Sequence, residues 1–382
     1  AVSETDEGSV KLSGCFTRMN RRYPQLEIDL SALRSNAQHI VRRCHDRHIR
    51  VCGVVKGADG LPEVARTLRQ CGADELGTSR LEQVEKCRAA GIGGPWLLIR
   101  IPGLTELPDV VRLCETSLQS ERVTLDALEE ECVLQGKTHR VIVMADLGDL
   151  REGFWDKDEM VDVCVHVERE LPHVVLAGIG VNLTCYGSTK PTPEKMQELL
   201  AIADRIERRI GRKLEIVSGG ATSSYTLVHW DTMPERINHL RIGEAILLGK
   251  DLQADWGIRD MDYLRMDTFT LRAEVVEVRD KPTYPIGEFA IDAFGHKPVY
   301  EDRGIRRRAI LALGRADVGE LESLLPREEG ITVIGGSSDH CILDVEDCPR
   351  RLEVGDVVEF SLCYSHMLYA TARSDMHIQF VN

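Results

Sequence analysis

From Tyr23 to about Gly249 the chain alternates between short apolar runs and longer stretches with apolar residues at helical spacing. The strand-like runs are LEIDL (26–30), VCGVVK (51–56), ADELGT (73–78), WLLIRI (96–101) and TSLQS (116–120). They continue with RVIVMADL (140–147), VVLAGIGVNL (174–183), EIVSGG (215–220) and NHLRIG (238–243). Between them, Ser31–Arg47, Leu61–Cys71, Arg80–Ala90, Glu121–Gln135, Asp156–Glu170 and Pro193–Ile210 read as helices rich in Glu, Arg, Leu and Ala. VIVMA and VVLAGI are nearly unbroken apolar runs, the signature of parallel strands covered on both faces. Such repeated alternation predicts an α/β fold with a parallel sheet. Leaving out LEIDL, the runs from VCGVVK to NHLRIG number eight. That suits a (β/α)8 barrel of roughly 200–250 residues. A doubly wound open sheet is the competing arrangement. No G-x-G-x-x-G opens any of the units, so a Rossmann dinucleotide site lacks its usual support.

After about Asp260 the period changes. TFTLRAEVVEVRD, RRRAILALG, GITVIGG, HCILDV and DVVEFSLCY are short alternating strands separated by Gly, Pro and Asp, which predicts a C-terminal antiparallel β domain. The segment Pro282–Arg308 is a long polar loop between two of them, and loops of that length usually reach an active site or a partner subunit. Residues 1–22 carry no periodicity and are set aside as a tail. Met19 reads as an ordinary start, with Ala1–Arg18 as an extension. The expected division is a tail (1–22), a barrel (23–255) and a β domain (256–382).

Composition narrows the function classes. With 43% hydrophobic residues over 382 positions, disorder of the whole chain is excluded. The net charge of −14, from 48 basic and 62 acidic residues, argues against a nucleic-acid partner, which needs a basic surface. No run of 18 apolar residues predicts a membrane helix, and AVSETDEGSV has no apolar core of a secretory signal. The 12 cysteines form no C-x-x-C pair, so a zinc ribbon or thioredoxin motif is unsupported and no metal is expected. They read as small buried hydrophobes of a cytoplasmic protein.

In a parallel barrel the active site lies at the C-terminal ends of the strands. Lys56 ends the run Val51–Val55, where desolvation lowers an amine's pKa and suits it to Schiff-base chemistry. A lysine snorkelling out of a strand end explains the same position equally well. VSGGATSS (217–224) places paired glycines and hydroxyls at an apparent helix start, which is a phosphate cradle or an ordinary N-capped loop. LRIGEAILLG (240–249) puts a basic residue at another strand end.

Together these segments resemble the alanine-racemase-like enzymes, pyridoxal 5'-phosphate proteins built from a (β/α)8 barrel and a C-terminal β domain. VVK, DLGDLREG, GIGVNLTCYG, VSGG, LRIGEAILLG, DAFGHKPVYEDRGIRRRAILALG and SSDH occur in the order of the ornithine racemase branch, over about residues 23–382. The resemblance implies a racemase of ornithine, lysine or a related amino acid, with Lys56 as the Schiff-base lysine. It makes Arg241 the arginine facing the cofactor's pyridine nitrogen, where a guanidinium donates a hydrogen bond without yielding its proton. Arg151 corresponds to the arginine near the cofactor's 3-oxygen, and Asn182 replaces a histidine that packs on its ring. Thr222 takes the place of a phosphate-binding serine, helped by Ser218, Gly219, Gly220, Ser223 or Ser224, Gly243 and Glu244. A head-to-tail homodimer is also implied, with LEIDL belonging to the β domain.

Three departures separate this chain from alanine racemases. Arg315 stands where they carry a second acid/base tyrosine, Met144 where many carry a carbamylated lysine, and Gly60 where a tyrosine binds phosphate. Racemisation still needs a proton donor and an acceptor on opposite faces of Cα. For the face opposite Lys56 the candidates are His340, then Cys341 and Tyr364, though His340 is as readily a structural histidine at a strand start. Asp292, Glu301 and Asp302 in the long loop are candidate partners for a distal ammonium. Two alternatives share the fold. One is a metal-dependent D-amino-acid aldolase or dehydratase, to which His340 could give one ligand, although Cys363-Tyr364-Ser365-His366 lacks the His-x-Cys order of the others. The other is a non-catalytic pyridoxal-phosphate carrier, which the C-terminal β domain counts against.

Overall fold

The computed structural model describes residues 22–382; the expected N-terminal tail lies outside them up to residue 21. The chain divides into two compact units, one of residues 29–268 and one that joins the strand before it to residues 269–381.

The first unit is a closed barrel of eight parallel strands in sequence order. They are β2 (Arg50–Val54), β3 (Glu75–Thr78), β4 (Trp96–Leu98), β5 (Thr116–Gln119), β6 (His139–Ala145), β7 (Val174–Val181), β8 (Ile216–Ser218) and β9 (His239–Ile242). β9 closes on β2 with Cys52 opposite Arg241, and β2 sets the same Cys52 opposite Glu75 of β3. Helices alternate with the strands, and their ends follow sequence signals. Asp29 caps Leu30–His45 by accepting from the Ala32 N–H at 2.8 Å. Thr192 caps Pro193–Ile210, whose first position is proline and whose last is followed by Gly211 at φ +78°. Residues beyond β9 stay with the barrel because Asn36 of the first helix bonds the carbonyls of Ile246 at 3.1 Å and Arg265 at 2.9 Å. The barrel is filled by Cys52, Val54, Leu97, Leu118, Ile142, Met144, Ala177 and Ile216. Among the described residues no helix is long and apolar enough to cross a membrane.

The second unit is an antiparallel sheet. β10 (Phe269–Pro282) is its central strand, pairing with β11 (Ile305–Leu311) and β15 (Val357–Ser361). β12 (Leu325–Pro326), β13 (Thr332–Gly336) and β14 (Cys341–Asp344) extend the sheet on either side. β1 (Gln25–Asp29), first in the chain, pairs with β10, and β16 (His377–Val381) pairs with β1.

Two local differences from the sequence reading have clear causes. The run DVVEFSLCY does not stay extended: β15 stops at Ser361 and a helix, Tyr364–Ala372, begins. The His366 ring accepts the Cys363 N–H at 3.0 Å, a cap that hydrophobic alternation does not reveal. The segment between β10 and β11 is exposed as expected, yet it is not simply polar. Ile286, Ile291 and Val299 lie open to solvent while Tyr284 packs edge to face on Phe289 and Tyr300, with centroids 5.4 and 6.4 Å apart.

Candidate functional site

The C-terminal ends of the barrel strands gather the chemistry. Lys56 follows β2 and opens a 3₁₀ turn, Lys56–Ala58, directly after fully buried Val55. Burial lowers its pKa, Arg151 and Arg241 push it the same way, and Cys185 and Glu152 oppose them. One amine thus senses groups from the loops after β6 and β7 and from β9. Glu152 and Cys185 were not singled out in the sequence, and only their fold neighbours mark them.

The loop after β6 carries DLGDLREG. Its buried Asp149 is a staple: the carboxylate accepts the N–H groups of Thr184 (2.9 Å), Tyr186 (3.1 Å) and Thr189 (3.1 Å) in the next strand's loop. Asp146 likewise accepts from Gly148 (2.8 Å) and Leu150 (3.1 Å), holding the turn before Arg151. Arg151 pairs with Glu152 at 2.8 Å, and that carboxylate raises its pKa further while Arg151 holds Glu152 below the usual range against its burial. Asn182 follows β7 and is buried. Its Oδ1 accepts from the Cys185 thiol at 3.4 Å, but among the described residues its Nδ2 has no partner. A buried amide with unused donors is costly unless something else accepts from it.

Between β8 and β9 the backbone is arranged for close approach. Gly220 takes φ +121°, and a Cβ there would lie 2.5 Å from the Ser224 Oγ. The Ser224 hydroxyl donates to the Gly219 carbonyl at 2.7 Å, and the Gly219 N–H to the His239 carbonyl at 2.9 Å. Ser223 reaches the Leu183 carbonyl only at 3.4 Å. Thr222 Oγ1 accepts the Ala245 N–H at 3.2 Å, so the turn after β8 and the short helix Glu244–Leu247 after β9 meet at one hydroxyl. Gly243 precedes that helix against Val54, where a Cβ would sit 3.2 Å from the valine Cβ. Glu244 accepts the N–H groups of Lys250 and Asp251, both at 3.0 Å, through one oxygen; the other, Oε2, is buried without a partner among the described residues. Burial, reinforced by Asp251, pushes its carboxyl up to about 7.

Arg241 is almost fully buried on β9. Its Nη1 donates to the Ser218 hydroxyl at 2.5 Å and its Nη2 to the Val181 carbonyl at 2.9 Å. Burial lowers its pKa, with Glu152 opposing, and a guanidinium remains charged nonetheless.

These residues suit pyridoxal 5'-phosphate on their own chemistry. There is an amine made more readily neutral by desolvation, a donor-only cation fixed deep in the site, an unsatisfied amide among the described residues, and a glycine-lined turn that carries hydroxyls and free backbone approach.

The remaining candidates belong to the second unit. Cys341 is the first residue of β14 and fully buried, and burial pushes its thiol up to about 12. His340 precedes it and is exposed, its carbonyl accepting from the Ser337 N–H at 2.8 Å. Tyr364 begins the helix Tyr364–Ala372 and is half-buried. Asp292 spends its carboxylate on the N–H groups of Phe294 (2.9 Å) and His296 (2.8 Å), while Glu301 and Asp302 are exposed.

The family departures also have structural sense. Gly60 takes φ +58°, and a Cβ would lie 2.6 Å from that of Gln83, so no aromatic ring fits there. Met144 is fully buried among the barrel's apolar residues. Arg315 pairs with Glu322 (3.1 Å) and lies 5.0 Å over the Phe294 ring.

Residues 28–251 match the family described as alanine racemase, N-terminal domain. The chain is 38% identical over 346 residues to an ornithine racemase of Acetoanaerobium sticklandii, covering 91% of this chain and 96% of that one. It is 39% identical over 348 residues to a lysine racemase of Thermotoga maritima, with coverage of 91% and 96%. Among solved structures it resembles the alanine racemase of D-cycloserine-producing Streptomyces lavendulae with a TM-score of 0.72 and 19% identity, over 94% of this chain and 97% of the other.

Proposed function

The chain belongs to the alanine racemase family of pyridoxal 5'-phosphate enzymes, and we propose that it racemises a diamino acid, ornithine or lysine, at the mouth of its barrel. The observation that carries this reading is the convergence on Lys56 of Arg151, Glu152, Cys185 and Arg241, within a chain similar over 91% of its length to racemases of those two amino acids.

When bound, the cofactor supplies an electron-withdrawing ring conjugated to the substrate's amino nitrogen, which acidifies the Cα–H. Lys56 would hold the cofactor and, as a neutral amine, would accept or return the Cα proton on one face. Its desolvation favours the uncharged form that this needs. Thr222 and Ser223, with the N–H groups of Gly220, Gly243 and Glu244 and the Ser218-Gly219 turn, would hold the phosphate. Arg151 and Asn182 would flank the ring, Asn182 through its unused Nδ2 donors. Arg241 would face the ring nitrogen as a donor that keeps its own proton, which would limit charge delocalisation and side reactions.

For the second face His340 is the leading candidate. It is exposed, and an imidazole nitrogen can either accept or donate a proton. Tyr364 follows. Cys341 is the poorest of the three, because a thiol pushed up to about 12 seldom ionises. Of the acidic residues, Glu301 suits a distal ammonium better than Asp292, whose carboxylate is occupied by its own loop. His366 is unsuited to a metal-ligand role, since one ring nitrogen accepts the Cys363 N–H and the other meets the Glu320 carbonyl at 2.8 Å. That removes the histidine closest to an aldolase ligand pattern. A head-to-tail homodimer belongs to the same proposal. The open side chains of Ile286, Ile291 and Val299 suit burial at a subunit contact, and light scattering at several concentrations tests it. A reducing cytoplasm suits the eleven free cysteines of the described residues.

The test is chiral analysis of the purified, cofactor-loaded protein with each enantiomer of ornithine, lysine and alanine in deuterated water. Ornithine or lysine should racemise and gain deuterium at Cα from either side. Absence of exchange with all six would overturn the reading.

A further inference from the structure

The strand starts on one side of the barrel hold an unexpected polar pair. Glu75 is the first residue of β3 and His239 the first of β9, and they are 3% and 0% exposed. Because Glu75 and Arg241 both stand opposite Cys52 of β2, they share a face, and the two-residue repeat of a strand puts His239 on that face too. Ser218, at the end of β8, faces His239 in register. The contacts form an unbroken line. A Glu75 carboxylate oxygen meets His239 Nε2, His239 Nδ1 lies 2.7 Å from Ser218 Oγ, and Ser218 Oγ accepts from Arg241 Nη1 at 2.5 Å.

We propose that Glu75, His239 and Ser218 are positioning residues for Arg241: a buried line, anchored at the barrel floor, that fixes the plane of the guanidinium and ends on a carboxylate. This rests on the reading of Arg241 as the partner of the cofactor's ring nitrogen.

Proton bookkeeping allows one arrangement that satisfies every member. Arg241 can only donate, so Ser218 Oγ accepts from it and turns its own hydrogen toward His239 Nδ1. His239 is then neutral, with its Nε2–H donated to the ionised Glu75. The line reads Arg⁺, Ser, His, Glu⁻ and carries no net charge, which a dry interior favours. A protonated His239 would set two cationic donors on one serine oxygen. The dipoles of the neutral line all point the same way and reinforce one another. Since a guanidinium keeps its proton, the line holds charge and orientation and moves no proton. Cys52, between the two ends, adds no charge, because burial first, and then Glu75, raises its pKa well above that of a free thiol.

The experiment compares wild type with Glu75→Gln, His239→Leu and His239→Gln, each as full chain with and without cofactor. In the wild-type protein without cofactor, ¹⁵N NMR of labelled histidines should show one ring held as the Nε2–H tautomer. Glu75→Gln keeps the shape and an acceptor but removes the charge. It should shift that signal, alter the absorption maximum of the bound cofactor, and lower kcat about 10–100-fold, as loss of outer partners of a reactive group does. KM should change far less. His239→Gln can still donate to Glu75 and accept from Ser218, so it should recover most of what His239→Leu loses. Should His239→Leu fail to fold, Glu75→Gln decides. Folded Glu75→Gln with wild-type histidine signals, spectrum and kcat would overturn the positioning role while leaving the racemase assignment intact. Loss of the racemase assignment shows separately, as a cofactor band that survives Lys56→Ala.

Discussion

On β4 to β7 the side chains filling the barrel are Leu97, Leu118, Ile142, Met144 and Ala177, all essentially without solvent contact. On β3, β8 and β9 the same interior receives Glu75, Ser218, His239 and Arg241, equally buried. Both sides are close-packed, but they do different work. The hydrocarbon side contributes stability through area removed from water and has no preferred orientation beyond good fit. The polar side contributes little net stability, since desolvation offsets what its hydrogen bonds return. What it provides is direction: one guanidinium in one plane, facing the mouth where Lys56 stands. The apolar side also excludes water, which strengthens the polar line opposite it.

The sharpest break in that contrast is at the rim. Lys56→Ala should abolish racemisation, by on the order of 10²–10⁴-fold or more in kcat, and remove the absorption band of the lysine-bound cofactor. Melting temperature should barely move, since a half-buried amine is replaced by a smaller apolar group. Leu97→Ala reverses the pattern. A cavity on the apolar side should cost about 2–5 kcal/mol of unfolding free energy by denaturant titration. Cofactor absorption should stay as in wild type wherever the protein is folded.

A third test separates the two sides by pH. Glu244 is almost fully buried and its carboxyl is raised to about 7, so the folded state holds a proton there that the unfolded state has released. Its contribution is therefore fully present below the unfolded pKa near 4.5 and is lost as pH rises toward 7. The span amounts to about 3 kcal/mol at most. Glu244→Gln cannot ionise, so it should flatten that limb: similar stability to wild type near the acid end, and a higher melting temperature near pH 8. An unchanged slope in the variant would assign the limb to another group. The smallest effect is expected at Cys52, where the two sides meet. Cys52→Ala should cost roughly 1 kcal/mol, the loss of one buried atom, with no change in the cofactor spectrum.

Much of the barrel was legible in the chain, because its strands are buried on both faces and so read as continuous apolar runs such as VIVMA and VVLAGI. The candidate site was legible where residue type and strand end coincide, as at Lys56, Arg151 and Arg241. Other features were hidden. Glu75 and His239 each sit singly in a short strand, 164 positions apart, and nothing local distinguishes them from solvated residues. The Asp149 staple was visible only as part of a motif, since its partners lie in the following loop. The helix at Tyr364 was missed because its cap is a histidine ring three residues further on.

The sequence by itself determined the alternation of strands and helices, the change to an antiparallel pattern after Asp260, and the residue types available for chemistry at strand ends. These follow from periodicity and side-chain chemistry, which are properties of neighbours in the chain. Only the tertiary structure decided that Glu152 and Cys185 act on Lys56, that Asn182 and Glu244 are left with unsatisfied buried atoms, and that Arg241 ends a line beginning at Glu75. Each of these depends on closing the sheet from β9 onto β2. That closure brings together side chains from distant strands and removes the water that would otherwise have satisfied them.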